Sequence, residues 1–463
     1  MASAASISRP ARLAFYGDDF TGSTDALEVL AFAGLKCALF LKAPTTQELA
    51  RLGRFDAVGV AGDSRGMQPH EMDQALPPVL QALAALAPIV HYKVCSTFDS
   101  APGIGSIGRV VQIARAQLGC GTVPIVGGNP ALGRYLVFGN LFARSGTDGK
   151  VYRIDRHPIM SVHPVTPMDE ADLGVHLARQ APLDIARLTL ADLEQDPETL
   201  DATFAARLRE QPDALLVDGA TAAHMAAAGR LLEREAATRT PLFVVGSSGV
   251  QHALTQRWPS EPGSAERFAR FGAVDQVLAI SGSASKLTAM QIDAALDAGF
   301  AGIAVDAREL VDDARWPPAR EALAAEAAAL LSAGRSVILH TARGPQDARI
   351  DEMIGALVAT GLTPEAARHE GGRRLGQRLG WVTRDILARV PLRRLLLSGG
   401  DTSSQVTQVL APQALTVAAR LAPGAPLCRL HAVDPRLDGM EVALKGGQMG
   451  DVQFFERARR GNV

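Results

Sequence analysis

The sequence predicts an α/β protein of two domains, each a mostly parallel sheet flanked by helices. Three observations predict it. The chain's 463 residues exceed what one hydrophobic core usually supports. Short apolar runs alternate with longer amphipathic ones along most of the length, the pattern of strands joined by crossover helices. Those apolar runs end repeatedly in glycine, serine and aspartate, the turn chemistry found where α/β sheets bind ligands at their carboxyl edge.

Composition excludes several classes of partner. Hydrophobic residues at 47%, charged residues at 21% and aromatics at 5% describe an ordered globular chain. Lys+Arg of 47 against Asp+Glu of 49 gives a formal charge of −2, so no nucleic acid and no membrane surface is expected as a partner. Cys37, Cys95, Cys120 and Cys428 are scattered without zinc spacing, which fits a reduced, cytoplasmic setting. The apolar run near the N-terminus meets Asp18 and Asp19 too soon for a signal-peptide core, and Leu76 to Val90 is interrupted by Pro77, Pro78 and Pro88 before it reaches transmembrane length.

Taken in order, Arg12 to Tyr16 is a strand, Gly17 to Gly22 a polar loop, Ser23 to Gly34 a helix and Lys36 to Leu41 a second strand. This is a βαβ unit, and it places Asp18 and Asp19 at the ligand-binding edge. One of them reads as a helix cap; two adjacent carboxylates repel unless a cation, a hydroxyl or a metal satisfies them. Phe55 to Ala61 delivers Asp63, Ser64 and Arg65 to the same edge, where Arg65 suits either a substrate carboxylate or a salt bridge to Asp63. Met72 to Ala87 reads as a helix despite its prolines, and Ile89 to Val94 as a strand that ends in Lys93, Val94, Cys95, Ser96, Thr97, Phe98 and Asp99. Lys93 either snorkels from the strand end or joins Ser96 and Asp99 in a site for a polar acid or sugar. Gly103, Gly105 and Gly108 then permit close approach ahead of a helix over Ile107 to Leu118.

Thr122 to Val126 is a further strand, leading to Gly127, Gly128, Asn129 and Pro130, and a short strand follows from Gly133. Asp155 to Met168 is irregular; His157 and His163 have no third ligand at metal spacing, so an ordered loop able to close over a substrate is preferred, with His163 as a minor contact. Asp169 to Gln180 reads as a helix, and Ala214 to Asp218 and Leu242 to Gly246 as strands followed by polar turns. The polar stretch from Trp258 to Gly272 is the best linker, which puts the domains at 1–262 and 263–463. Beyond it the alternation restarts: Val277 to Ile280 before Ser281, Gly282 and Ser283, then Gly302 to Val305, Ser336 to His340, Arg393 to Leu397, and Val442 to Lys445 before Gly446 and Gly447. The run Ser398, Gly399, Gly400, Asp401, Thr402, Ser403 reads as a glycine turn into a helix capped by Asp, Thr or Ser, whose free N–H groups suit a phosphate.

The ordered set GDDFTG, GDSR, KVCSTFDS, SGSAS, SGGDTSS and KGGQMG resembles the four-carbon acid sugar kinases over nearly the whole chain. The Phe98, Asp99, Ser100 run and the DRHPIMSVHPVTPMDEADL stretch are similar to the branch found beside RuBisCO-like proteins, whose acceptor is 3-oxo-isoapionate. The resemblance implies a substrate domain at 1–262 and an ATP domain at 263–463, with the active site in the cleft between them. It implies transfer from ATP, with Mg²⁺, to a hydroxyl of 3-oxo-isoapionate, 3-oxo-tetronate, threonate or erythronate. Asp18, Asp19, Arg65, Lys93, Ser96 and Asp99 would bind the acid. Ser283, Ser398, Gly399, Gly400, Asp401, Thr402 and Gly446 would hold ATP. Asp19 is the favoured base, with Asp401 and Asp99 behind it; metal ligands are unassigned, and monomer or homodimer stays open. Two rivals are a non-catalytic sugar-acid-binding or regulatory protein and a dinucleotide oxidoreductase; no G-x-G-x-x-G follows the first strand to favour the second.

Overall fold

Strands such as LAFYG at Leu13–Gly17 and AVGVA at Ala57–Ala61 are buried along their whole length, as parallel strands are when helices cover both faces. The computed structural model describes residues 11–146, 148–163, 165–258 and 266–462. Its chain divides into two units, 1–262 and 263–463. The linker expected from Trp258 to Gly272 falls partly on 259–265, outside the described residues.

The strands of the first unit are β1 (Leu13–Gly17), β2 (Cys37–Phe40), β3 (Ala57–Ala61), β4 (Ile89–Lys93), β5 (Val123–Val126), β6 (Arg134–Val137), β7 (Asn140–Arg144), β8 (Val151–Arg153), β9 (Ile185–Leu188), β10 (Ala214–Val217) and β11 (Leu242–Gly246). Its main sheet runs β2-β3-β1-β4-β11-β5-β10-β9, with every neighbouring pair parallel. Gly17 pairs with Ala61 and Lys93, Lys93 with Gly246, and Gly246 with Val126. The loops after β3, β1, β4, β11 and β5 therefore leave one edge side by side. A separate 3-stranded antiparallel sheet, β6-β7-β8, hangs from the loop after β5.

The second unit holds β12 (Leu278–Ser281), β13 (Ala301–Ala304), β14 (Val337–His340), β15 (Arg394–Ser398), β16 (Ala414–Ala422), β17 (Ala425–His431) and β18 (Glu441–Lys445). Their order is β13-β14-β12-β15-β18-β17-β16, parallel through β18 and antiparallel beyond it. Ser281 pairs with Ser398, and Ser398 with Lys445, so the serine- and glycine-rich turns also share one edge. Phe271, Ile292, Phe300, Leu396, Leu427 and Phe454 form part of the core beneath them.

One local outcome differs from the expectation. The helix Gly400–Leu410 has Gly399 as its N-cap and no side-chain cap, so Asp401 and Thr402 stand inside its first turn. Gly399, at φ +109°, takes the cap position two residues before Asp401, the first of the expected caps. The histidine-containing loop is built of short 3₁₀ turns at Ile154–Arg156 and Met160–Val162, and its histidines serve the backbone: His157 Nδ1 accepts from Ile159 N at 3.2 Å and His163 Nδ1 from Thr166 N at 3.1 Å.

Candidate functional site

In the first unit, Asp19 is the N-cap of the helix Phe20–Phe32, and its Oδ1 accepts from Gly22 N at 2.8 Å. The remaining lone pairs meet charge. Arg65 donates from Nη2 and Nε to the two oxygens of Asp18, at 2.9 and 3.2 Å, and its Nη1 lies 2.9 Å from Asp19 Oδ2. Arg65 thus turns to the acidic pair, not to Asp63. Lys93, at the end of β4, is only 3% exposed, and a Cβ added at Gly22 would lie 2.2 Å from both its Nζ and Asp19 Oδ1. The two carboxylates consequently differ. Burial raises the Asp18 carboxyl against the pull of Arg65, whereas at Asp19 the same penalty of burial is outweighed by Arg65 and Lys93, which hold it below its ordinary value. Arg65 in turn stays charged: burial opposes its charge, but Asp18 and Asp19 raise it well above its ordinary range.

The loop after β4 is tightly made. Thr97 Oγ1 donates to Asp99 Oδ1 at 2.5 Å and lies 3.0 Å from Cys95 Sγ. Phe98 is fully buried at φ +54°, and Ser100 Oγ donates to its carbonyl at 2.8 Å. Burial, with the nearby Asp99 charge, pushes the Cys95 thiol up to about 11, so it is a thiol near neutrality. Ser96 is half-buried on the same loop. Behind it His91 is wholly buried, bridging Gly246 O at 2.9 Å and Gln251 Nε2 at 2.8 Å; burial drops it to about 3, which makes it a neutral strut between β4 and β11.

Two residues at this edge escaped the sequence reading as site residues. Asn129, fully buried after β5, donates from Nδ2 to Ser248 Oγ after β11 at 3.0 Å, while its Oδ1 has no partner. Their only sequence signal was membership of the small-residue turns that end β5 and β11.

In the second unit the edge is made of glycines and hydroxyls. A Cβ at Gly282 would lie 2.0 Å from Thr402 Oγ1, and one at Gly399 would lie 3.2 Å from Ser283 N. Only bare backbone fits where these two turns meet. The hydroxyls of Ser281, Ser398 and Ser403 are buried without partners. Ser285 caps the helix Lys286–Asp297 through Thr288 N at 3.0 Å and donates to Gly447 O, which ties the turn after β12 to the turn containing Gly446. Lys445, fully buried, donates to Thr288 Oγ1 at 3.1 Å and to the Gly446 carbonyl at 3.2 Å; burial lowers it to about 8. Asp401 is exposed in the first turn of its helix. Among the described residues no group of three or more His, Cys, Asp or Glu gathers to hold a metal ion, and no helix is long and apolar enough to cross a membrane.

Such an arrangement offers cations and hydrogen-bonding carboxylates at one sheet edge, and glycine backbone with unpartnered hydroxyls at the other. Residues 13–254 match a family model described as a sugar-binding N-terminal domain, and residues 278–455 one described as a nucleotide-binding C-terminal domain. The chain is 43% identical over 465 residues to a 3-oxo-isoapionate kinase of Paraburkholderia graminis, spanning 97% of this chain and 94% of that protein. It is 30% identical to a 3-oxo-tetronate kinase of Methylobacterium radiotolerans, over 95% of this chain and 97% of that one. A crystal structure of a Haemophilus influenzae protein shares the fold at a TM-score of 0.70 and 22% identity, covering 96% of this chain and 99% of its own.

Proposed function

The chain belongs to the four-carbon acid sugar kinase family and is an ATP-dependent sugar-acid kinase, and from that premise we propose that it phosphorylates a hydroxyl of 3-oxo-isoapionate. The relative that is 43% identical supports this choice of acid over the four-carbon ones. The observation that carries the division of labour is the contrast between the two sheet edges. One is rich in carboxylates and cations; the other is lined by glycine backbone and unpaired hydroxyls.

Phosphoryl transfer asks a protein for in-line positioning and neutralised charge more than for covalent chemistry, with reacting atoms brought to about 3–3.5 Å. Asp18, Arg65, Lys93, Ser96 and Asp99 hold the acid, and Asp19 takes the proton of the attacking hydroxyl. Its lowered carboxyl is already ionised, and the helix cap and Arg65 fix its direction. Ser283, Ser398, Gly399, Gly400, Asp401, Thr402 and Gly446 hold ATP, with phosphate on the helix end at Gly400, which no side chain caps. Asp401, exposed and without an ion-pair partner among the described residues, fits Mg²⁺, which takes one or two carboxylates and leaves its other positions to phosphate oxygens and water. ADP release measured with and without the acid tests the reading. Release that needs the acid is expected; ATP binding with no acid-dependent turnover would make the chain a binding or regulatory protein.

A further inference from the structure

The acid's carboxylate lacks an obvious counter-charge in the set named so far. Arg65 spends three of its N–H donors on Asp18 and Asp19, and those two with Asp99 outnumber Arg65 and Lys93. A negatively charged acceptor entering such a cluster is repelled unless another cation faces it.

Arg134 stands on the β5 side of this edge, joined to Asn129 through the main chain. It begins β6, and no carboxylate pairs with it among the described residues. Its Nη1 donates to the carbonyls of Leu132 at 2.9 Å and Arg144 at 3.1 Å, while Nε is buried with no partner. Burial lowers its pKa, against a smaller opposing pull from Cys95 and Tyr135. Arg134 lies within electrostatic reach of Cys95, and Cys95 within reach of Asp99, Arg65 and Lys93. The main chain couples it to the edge: Asn129 N donates to Arg134 O at 2.9 Å, and Arg134 N to Asn129 O at 3.0 Å. Asn129 is the fully buried residue whose Oδ1 is unpaired and whose Nδ2 holds Ser248. With β4 and β11 between β1 and β5, the loop carrying Lys93 to Asp99 is flanked by the acidic pair on one side and by Ser248, Asn129 and Arg134 on the other.

We propose that Arg134 receives the carboxylate of the sugar acid and that the amide oxygen of Asn129 accepts a hydrogen bond from one of its hydroxyls. Arg65 then organises the acidic pair and does not bind the carboxylate. The inference rests on the sugar-acid kinase reading and deepens it: the site selects an anionic polyol by an arginine on the β5 side.

Steady-state kinetics on the full chain, with the acid the wild-type enzyme turns over and the carboxamide of that acid, test it. Arg134→Gln should raise KM for the acid about 10-fold to 100-fold, the worth of a charged hydrogen bond, leave KM for ATP within about twofold, and erase the preference for acid over carboxamide. Arg134→Lys should recover part of that preference. If Arg134→Gln does not fold, as judged by loss of an ATP-induced rise in Tm, Arg134→Lys decides: an acid KM several-fold higher with an unchanged carboxamide KM supports the assignment, and an unchanged acid KM overturns it. An active wild-type enzyme whose Arg134→Gln variant keeps its acid preference, or shifts both KM values together, removes Arg134 alone. A wild-type enzyme that releases no ADP with any sugar acid removes the kinase reading and this inference with it.

Discussion

Asp18 and Asp19 are the same residue type one peptide apart, and their surroundings give them different work. Asp18 is buried and clasped by two nitrogens of Arg65, whereas Asp19 keeps a partly exposed carboxylate between Arg65, Gly22 and Thr21. Asparagine is as good an N-cap as aspartate, so Asp19→Asn should leave the fold standing. Its kcat should fall about 100-fold or more, the usual worth of a positioned general base, with KM for ATP little changed; a kcat near wild type would take the base role from Asp19. The acidic pair, Lys93 and Asp99 were legible in the sequence because polar groups at the end of apolar strands stand out. The partner of Arg65 was not, since it lies 47 positions away and Asp63 offered a nearer alternative. Asn129 and Arg134 were hidden for a related reason: they are joined by a main-chain pair that no side-chain pattern announces.

At the scale of the element, the strand–turn–helix from Arg394 to Leu410 depends on backbone geometry. Gly399→Ala puts a side chain at φ +109° and within 3.2 Å of Ser283 N, so it should cost about 1–3 kcal/mol of stability and raise KM for ATP more than KM for the acid. Equal effects on both would separate this turn from the nucleotide. Glycines on the packing helix Pro364–Arg389 serve the same element: Cβ atoms at Gly376 and Gly380 would lie 2.9 and 2.7 Å from Gln405 and Val409, so the turn's helix is seated where only glycine admits it. Beside it, Lys445 has a folded value of about 8 against 10.5 unfolded. Between those values the unfolded chain binds more protons, so stability should rise as pH increases from about 8 towards 10.5, and the burial penalty is felt in full below 8. Thermal unfolding across that range should show the rise in wild type and not in Lys445→Met; equal slopes would contradict it. The strand, turn and helix were readable from an apolar run followed by SGGDTSS. Their cap was not, because a left-handed glycine replaces the capping side chain. The hairpin of β16 and β17 also escaped, since ALTVAARLA has the alanine-rich look of a helix and only the Pro423-Gly424 turn marks it.

For the whole molecule, the alternation of apolar and amphipathic runs was enough to anticipate parallel sheets in both halves, because central parallel strands such as β1, β3, β12 and β15 are buried on two faces and advertise themselves as continuous apolar runs. Of the antiparallel additions, β6 was readable as a short strand from Gly133, whereas β7 and β8 are partly exposed and carry polar residues, so no such run marked them. The family resemblance supplied what periodicity lacks: which half matches a sugar-binding domain and which a nucleotide-binding one. The most direct measurement of the central claim is kcat/KM for ADP release over 3-oxo-isoapionate, 3-oxo-tetronate, threonate and erythronate, with ATP saturating. Release is expected only when an acid is present, with the highest kcat/KM for 3-oxo-isoapionate. Release that ignores the acid, or a four-carbon acid preferred over 3-oxo-isoapionate, would contradict it.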